Sequence, residues 1–136
     1  MAQNTAIRSI DRGDLTMPTF DPETLSKLRD RQEVAIRTEK HPESAITIWV
    51  VVSNGDVFVR SVRGAKGRWY RDLAAGGTAT LEFDGQQLAV QAVPSNDAAS
   101  VERASQQFLS KYRSSPYAAS IVRPEVLATT LRLDAR

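Results

Sequence analysis

The chain has no cysteine and a single histidine, His41. The first absence removes disulfides, thiolate nucleophiles and every cysteine-containing zinc site. The second leaves a histidine-based triad or a multi-histidine metal centre with almost nothing to draw on, so no metal site is expected. His41 precedes Pro42 in a polar stretch and reads as a loop residue. A bulk excess of one charge is also missing: 18 Lys and Arg face 16 Asp and Glu, for a net +2. Electrostatic function therefore depends on where the basic residues cluster. No long apolar run opens the chain, because Arg8, Asp11, Arg12 and Asp14 interrupt residues 1–20. Neither a signal peptide nor a spanning helix is expected there, which points to a cytoplasmic protein without membrane contact. Redox chemistry in such a chain would need a cofactor.

What is present is ordinary globular material: 136 residues, 41% hydrophobic and 25% charged, the size of one domain. Residues 1–20 read as a polar leader and 21–136 as the domain. Asp21, Pro22 and Glu23 supply an N-cap, a first-turn proline and a first-turn acid for a short helix to about residue 29. Residues 32–38 alternate as a half-buried strand, with Val34 and Ile36 on one side. Residues 45–52 and 56–62 flank Asn54-Gly55, a favoured type I′ hairpin turn. That register pairs Val52 with Val57, Val50 with Val59 and Ile48 with Ser61 on a core face. The other face carries Val51 with Phe58, Trp49 with Arg60 and Thr47 with Val62, too aromatic and too charged for a simple core layer. A second hairpin, 78–83 and 86–93, turns at Asp84-Gly85, with Leu81 opposite Leu88 and Ala79 opposite Val90. Ser95, Asn96 and Asp97 offer caps for a helix to about residue 113, striped by Val101, Ala104, Phe108 and Tyr112. Residues 128–133 alternate as a closing strand. The fold expected is mainly β (α+β): a six-stranded antiparallel split β-barrel with flanking helices.

Residues 60–71 (RSVRGAKGRWYR) stand apart. Arg60, Arg63, Lys66, Arg68 and Arg71 face one nearby acid, Asp72, while Gly64 and Gly67 let the backbone turn and approach a ligand. A short helix beginning near Gly67 would aim its first N–H groups at the same loop. Charge-assisted hydrogen bonds contribute roughly 1.5–3 kcal/mol each, so a few of them approach the roughly 8 kcal/mol of micromolar binding. Gly64-Ala65-Lys66-Gly67 lacks the Gly-Lys-Ser/Thr ending of a P-loop, and no G-x-G-x-x-G is present. Trp49, Phe58 and Tyr70 lie near these charges by register or sequence, which suits a ligand with a ring and an anionic tail. Single-stranded nucleic acid uses similar ingredients but needs a longer basic track. Glu82, Asp84, Asp97 and Glu102 argue against one here.

The run Ile48-Trp49-Val50-Val51, the hairpin into Val59-Arg60-Ser61, and then Gly64-Ala65-Lys66, Trp69-Tyr70 and Asp72-Leu73 resemble the flavin-binding split-barrel superfamily. That superfamily includes pyridoxamine-phosphate-oxidase-like proteins and deazaflavin-dependent nitroreductases. With residues 128–133, the pattern is most similar to an uncharacterised bacterial branch. The resemblance implies a homodimer with FMN or a deazaflavin coenzyme at the subunit interface. It places Arg60, Ser61, Arg63 and Lys66 around the phosphate, with Gly64 and Arg68 in the same loop and Trp49 and Tyr70 near the ring. Arg37 or Arg68 would lie near the pyrimidine end of that ring. Strict register turns Ser61 toward the core, so only a strand end or bulge brings its hydroxyl to the loop. The activity implied is a flavin- or deazaflavin-dependent oxidoreductase, and no catalytic base is assigned. The alternative is a non-catalytic split-barrel module binding flavin, a haem-like ligand or a protein partner.

Overall fold

Two tight turns set the sheet of the computed structural model, which describes residues 20–136. Asn54 (φ 51°) and Gly55 (φ 86°) both take the positive φ of a type I′ turn, joining β3 (Val51–Ser53) to β4 (Asp56–Val59). Val51 pairs with Phe58 and Val52 with Val57, as the turn dictates. Asp84 (φ 54°) and Gly85 (φ 73°) do the same between β5 (Gly77–Phe83) and β6 (Gln86–Pro94), with Ala79 opposite Val90 and Leu81 opposite Leu88. Together with β1 (Val34–Thr38), β2 (Ile46–Ile48) and β7 (Leu131–Ala135), they form one sheet in the order β2-β1-β5-β6-β7-β4-β3. Every neighbouring pair is antiparallel.

The expected six strands are seven, because the run 45–52 breaks at Trp49 and Val50 into β2 and β3. These two strands lie at opposite ends of the sheet order yet are two residues apart in the chain. The sheet is therefore curled until its ends meet, and no ladder joins them among the described residues; the barrel is open at this seam. Side chains from α3 (Ala98–Lys111) and the residue after it satisfy the backbone there. Val50 N–H donates to Tyr112 Oη at 3.1 Å, and Lys111 Nζ donates to Val50 O at 2.7 Å and Leu28 O at 2.9 Å. The Tyr112 hydroxyl donates to Gln32 O at 2.7 Å. Burial pushes the Lys111 ammonium down to about 8 and the Tyr112 phenol up to about 12.

The opposite side of the seam is held away by two threonines. Ser61 N–H donates to Thr129 Oγ1 at 3.0 Å, and Arg60 Nε donates to Thr130 Oγ1 at 2.8 Å. Both hydroxyls donate onward, to Val126 O and Leu127 O, tying the segment to α4 (Pro124–Leu127). Residues 128–130 therefore form the turn after α4, and the closing strand starts at Leu131 rather than at Ala128.

Two apolar clusters result. One fills the curl, with Val52, Val57, Leu81, Val90 and Leu133 all buried. The other lies between the outer face of β3–β4 and α3, where Val51 and Phe58 meet Ala104, Phe108 and Tyr112. The mixed face of the first hairpin is thus largely covered by the protein's own helix stripe, whose apolar spacing matches that purpose. Asp97 caps α3 by accepting from Ser100 N–H at 3.0 Å, and Asp21 caps α1 (Pro22–Asp30) by accepting from Thr24 N–H at 2.7 Å. The expected leader, residues 1–20, lies outside the described residues except for Phe20, which is buried in the first cluster.

Candidate functional site: a cationic cleft in the barrel seam

Had the first hairpin continued, Trp49 would pair with Arg60, Ile48 with Ser61 and Thr47 with Val62. Instead β2 leaves to pair with β1, and residues 60–62 leave toward Thr129 and Thr130. All six residues line a cleft of about 780 Å³ that opens in the wedge between them. Its size falls within the range of small-molecule sites. Gly67, Arg68 and Trp69 also line it, as do Tyr117, Ser120 and Ile121. Ile46, Ile48, Trp49 and Trp69 make the walls largely apolar.

Arg60 is the unusual group on this surface. It is 2% exposed, and its guanidinium donates only to neutral oxygens: Thr130 Oγ1, Ile121 O at 3.2 Å and Val101 O at 2.8 Å. It also lies 5.3 Å from the centroid of the Phe108 ring. No carboxylate pairs with it among the described residues. Burial without a counter-ion pushes its pKa down to about 10. Three of its five N–H donors are spent on these oxygens, so what it brings to the wall of the cleft is chiefly a positive charge. Among the described residues, Arg63 is exposed with no side-chain partner, and Arg68 donates to Ser44 Oγ at 2.6 Å. Asp72, the one acid near this basic segment, is engaged elsewhere. Thr38 Oγ1 donates to its Oδ2 at 2.6 Å, and His41 Nδ1 lies 2.7 Å from the same oxygen. Burial acts to raise the Asp72 pKa, but these hydrogen bonds outweigh it and hold the carboxyl below its usual range. The arginines of the cleft thus make no ion pair among the described residues.

Five of the residues expected around a ligand, Trp49, Arg60, Ser61, Arg63 and Arg68, line the cleft; Gly64, Lys66 and Tyr70 do not. Gly64 is buried and supplies the carbonyl to which Ser61 Oγ donates at 2.8 Å. That bond consumes the one hydroxyl proton of Ser61, leaving it no donor for a phosphate. The end of β4 at Val59 is what frees Ser61 to reach the loop. Gly67 is required beside it, since a Cβ at that position would sit 2.3 Å from Ser61 Oγ. Lys66 is exposed on the 3₁₀ turn Gly64–Lys66. Tyr70 packs on the core, at right angles to Trp69. Arg37 is also elsewhere, paired with Glu82 at 2.7 Å and donating to Pro42 O. The helix expected after Gly67 is α2 (Arg68–Leu73), six residues long.

Trp69, Glu33 and Tyr117 are cleft residues that sequence reasoning missed. Trp69 and Tyr70 are adjacent and differ by about 100° around α2, so only the helix phase decides which one faces the cleft. Trp49 is stacked face to face on Tyr112, with centroids 4.0 Å apart and planes 4° apart, which fixes the indole and leaves its remaining surface to the cleft. No cluster of metal-ligating side chains occurs among the described residues, and no described helix is long and apolar enough to cross a membrane.

No curated protein and no solved structure matches this chain. A family model does match, over residues 24–133, which takes in β1 to β6, the first three residues of β7 and every residue of the cleft. The chain therefore belongs to the family described as an uncharacterized protein conserved in bacteria (DUF2255).

Proposed function

We propose that the cleft binds a planar coenzyme with an anionic tail, of the FMN or deazaflavin type, and that the protein is an oxidoreductase. The observation that carries this reading is Arg60: a guanidinium 2% exposed, without a carboxylate, at the wall of an apolar cleft that both tryptophans line. A buried cation without a counter-ion is costly, and an anionic ligand in the cleft offsets that cost. Arg63 is free to close on the tail and Arg68 lies beside it, while Trp49 and Ile48 offer flat apolar surface to a ring. The residues present thus fit the group, with Ser61 excluded as a donor. When bound, the coenzyme would supply hydride or electron transfer. The protein's part is to hold the tail by charge, to orient the ring on Trp49 and to keep water from it. Val62 and Tyr117, 48% and 71% exposed at the cleft's lip, suit the contact with a second copy in a homodimer.

The cleft's poverty in acid–base groups favours a second reading. Its lining contains no histidine, lysine or aspartate and one carboxylate, Glu33, so a non-catalytic binding module would need nothing different. The absorption spectrum of the purified protein, with mass analysis of any released chromophore, tests the binding claim. A flavin or deazaflavin spectrum supports it; a colourless protein that binds neither coenzyme at micromolar concentration removes it. Turnover of the bound coenzyme with a reductant and an acceptor then separates the enzyme from the module.

A further inference from the structure

The two walls of the cleft carry opposite charge. Arg60, Arg63 and Arg68 belong to the wall after β4, which has no acid. The β1–β2 side, residue 33 with residues 46–49, contributes no cation of its own to the lining and a single carboxylate, Glu33, while Arg68 reaches Ser44 just ahead of β2. Among the described residues Glu33 makes no ion pair with an arginine within 4.0 Å, so its carboxylate lines the cleft without a charged partner. Its position is set by the β1–β2 register. Val34 pairs with Ile48, which brings Glu33 opposite Trp49 at the seam, and its charge is felt at the Tyr112 phenol on which Trp49 stacks. A ring lying against Trp49 would thus have Glu33 as its neighbour in register, in a cleft that Arg60 also lines. A carboxylate facing an arginine wall across apolar walls favours a ligand with an anion at one end and an N–H donor at the other. Glu33 is exposed in the open cleft, and its hydrogen bond strengthens when a ligand displaces the water around it.

We propose that Glu33 is the ring-end acceptor of the cleft, selecting ligands whose ring bears an imide or ammonium N–H and whose tail is anionic. For the coenzyme reading on which this rests, the group received is the imide N3–H. The test titrates FMN and N3-methyl-FMN into the wild type and Glu33→Ala, following tryptophan emission, since both tryptophans line the cleft. N3-methylation should weaken binding roughly tenfold or more in the wild type, the worth of a hydrogen bond to a charged group, and the penalty should vanish in Glu33→Ala. Equal binding of both compounds to the wild type overturns the role of Glu33 and leaves the flavin reading standing. A penalty undiminished in Glu33→Ala is steric and overturns it as well. If neither compound binds, the flavin reading fails. 3-(4-Aminomethylphenyl)propanoate and 3-(4-ethylphenyl)propanoate, which share ring and carboxylate tail and differ by an ammonium at the far end of the ring, then test Glu33 alone. Tighter binding of the ammonium compound that is lost in Glu33→Ala supports the proposal, and indifference to the ammonium overturns it.

Discussion

Tyr112→Phe isolates the device that closes the barrel seam. The ring is retained, and with it the stack on Trp49 and the contact with Phe108; only the hydroxyl is lost. Val50 is 0% exposed and its N–H has Tyr112 Oη as its partner. The substitution thus strands one buried donor and removes the donor to Gln32 O. An unpaired buried backbone group costs about 1–3 kcal/mol. For a chain of this size each kcal/mol lowers Tm by about 4 °C. Urea unfolding should show the midpoint falling accordingly with the m-value unchanged, since the surface exposed on unfolding is the same. Hydrogen exchange at the Val50 amide should accelerate more than at Phe58, which keeps its ladder partner Val51 in β3. A loss below about 0.5 kcal/mol, within the range of ordinary surface substitutions, with Val50 still protected, would refute the idea that Tyr112 replaces a missing strand.

Other consequences follow from the same contacts. Gly67→Ala should destabilise by about 1–3 kcal/mol through overpacking against Ser61 Oγ. Ser61→Ala should rescue much of that loss in the double variant, because the next atom, Ser61 Cβ, lies at an ordinary 3.4 Å; additive losses in a double-mutant cycle would contradict this. Lys111, pushed down to about 8 from 10.5, gives stability a defined slope. Between those values the unfolded lysine holds a proton that the folded one has released, so stability rises with pH across the window. Lys111→Met should abolish that rise in denaturation curves taken from pH 7.5 to 10. Arg63→Ala should weaken retention of an anionic coenzyme by roughly 1.5–3 kcal/mol while leaving Tm of the ligand-free protein unchanged, because Arg63 is exposed and unpartnered among the described residues.

The parts of the fold legible in the sequence were those fixed locally. Asn54-Gly55 and Asp84-Gly85 set the registers of both hairpins, and the stripe of Ala104, Phe108 and Tyr112 announced a helix with one buried face. The break at Trp49 and Val50 was not legible, because residues 45–52 read as one uninterrupted strand. The groups that part it, Tyr112, Lys111, Thr129 and Thr130, lie some sixty to eighty positions away in sequence. The charge cluster at 60–71 was visible as composition, but its division was not. Arg60 was expected in the phosphate shell, and it lines the cleft, but no local signal announced that three neutral oxygens anchor its guanidinium there. Arg68 and Trp69 face the cleft while Tyr70 turns to the core, since the phase of a six-residue helix is decided by what it packs on. Glu33 gave no local signal; only the β1–β2 register brings it to Trp49.

Binding of an anion at Arg60 and Arg63 is the central proposal, and riboflavin against FMN tests it most directly because the two differ only by the phosphate. Equilibrium titration of each into the ligand-free protein, read by tryptophan quenching, should give FMN the tighter binding by a factor of roughly 10²; two charge-assisted hydrogen bonds supply at least that much. The gap should narrow in Arg63→Ala. Equal affinity for riboflavin and FMN, or an FMN affinity untouched by Arg63→Ala, would contradict the assignment of the cleft as an anion site.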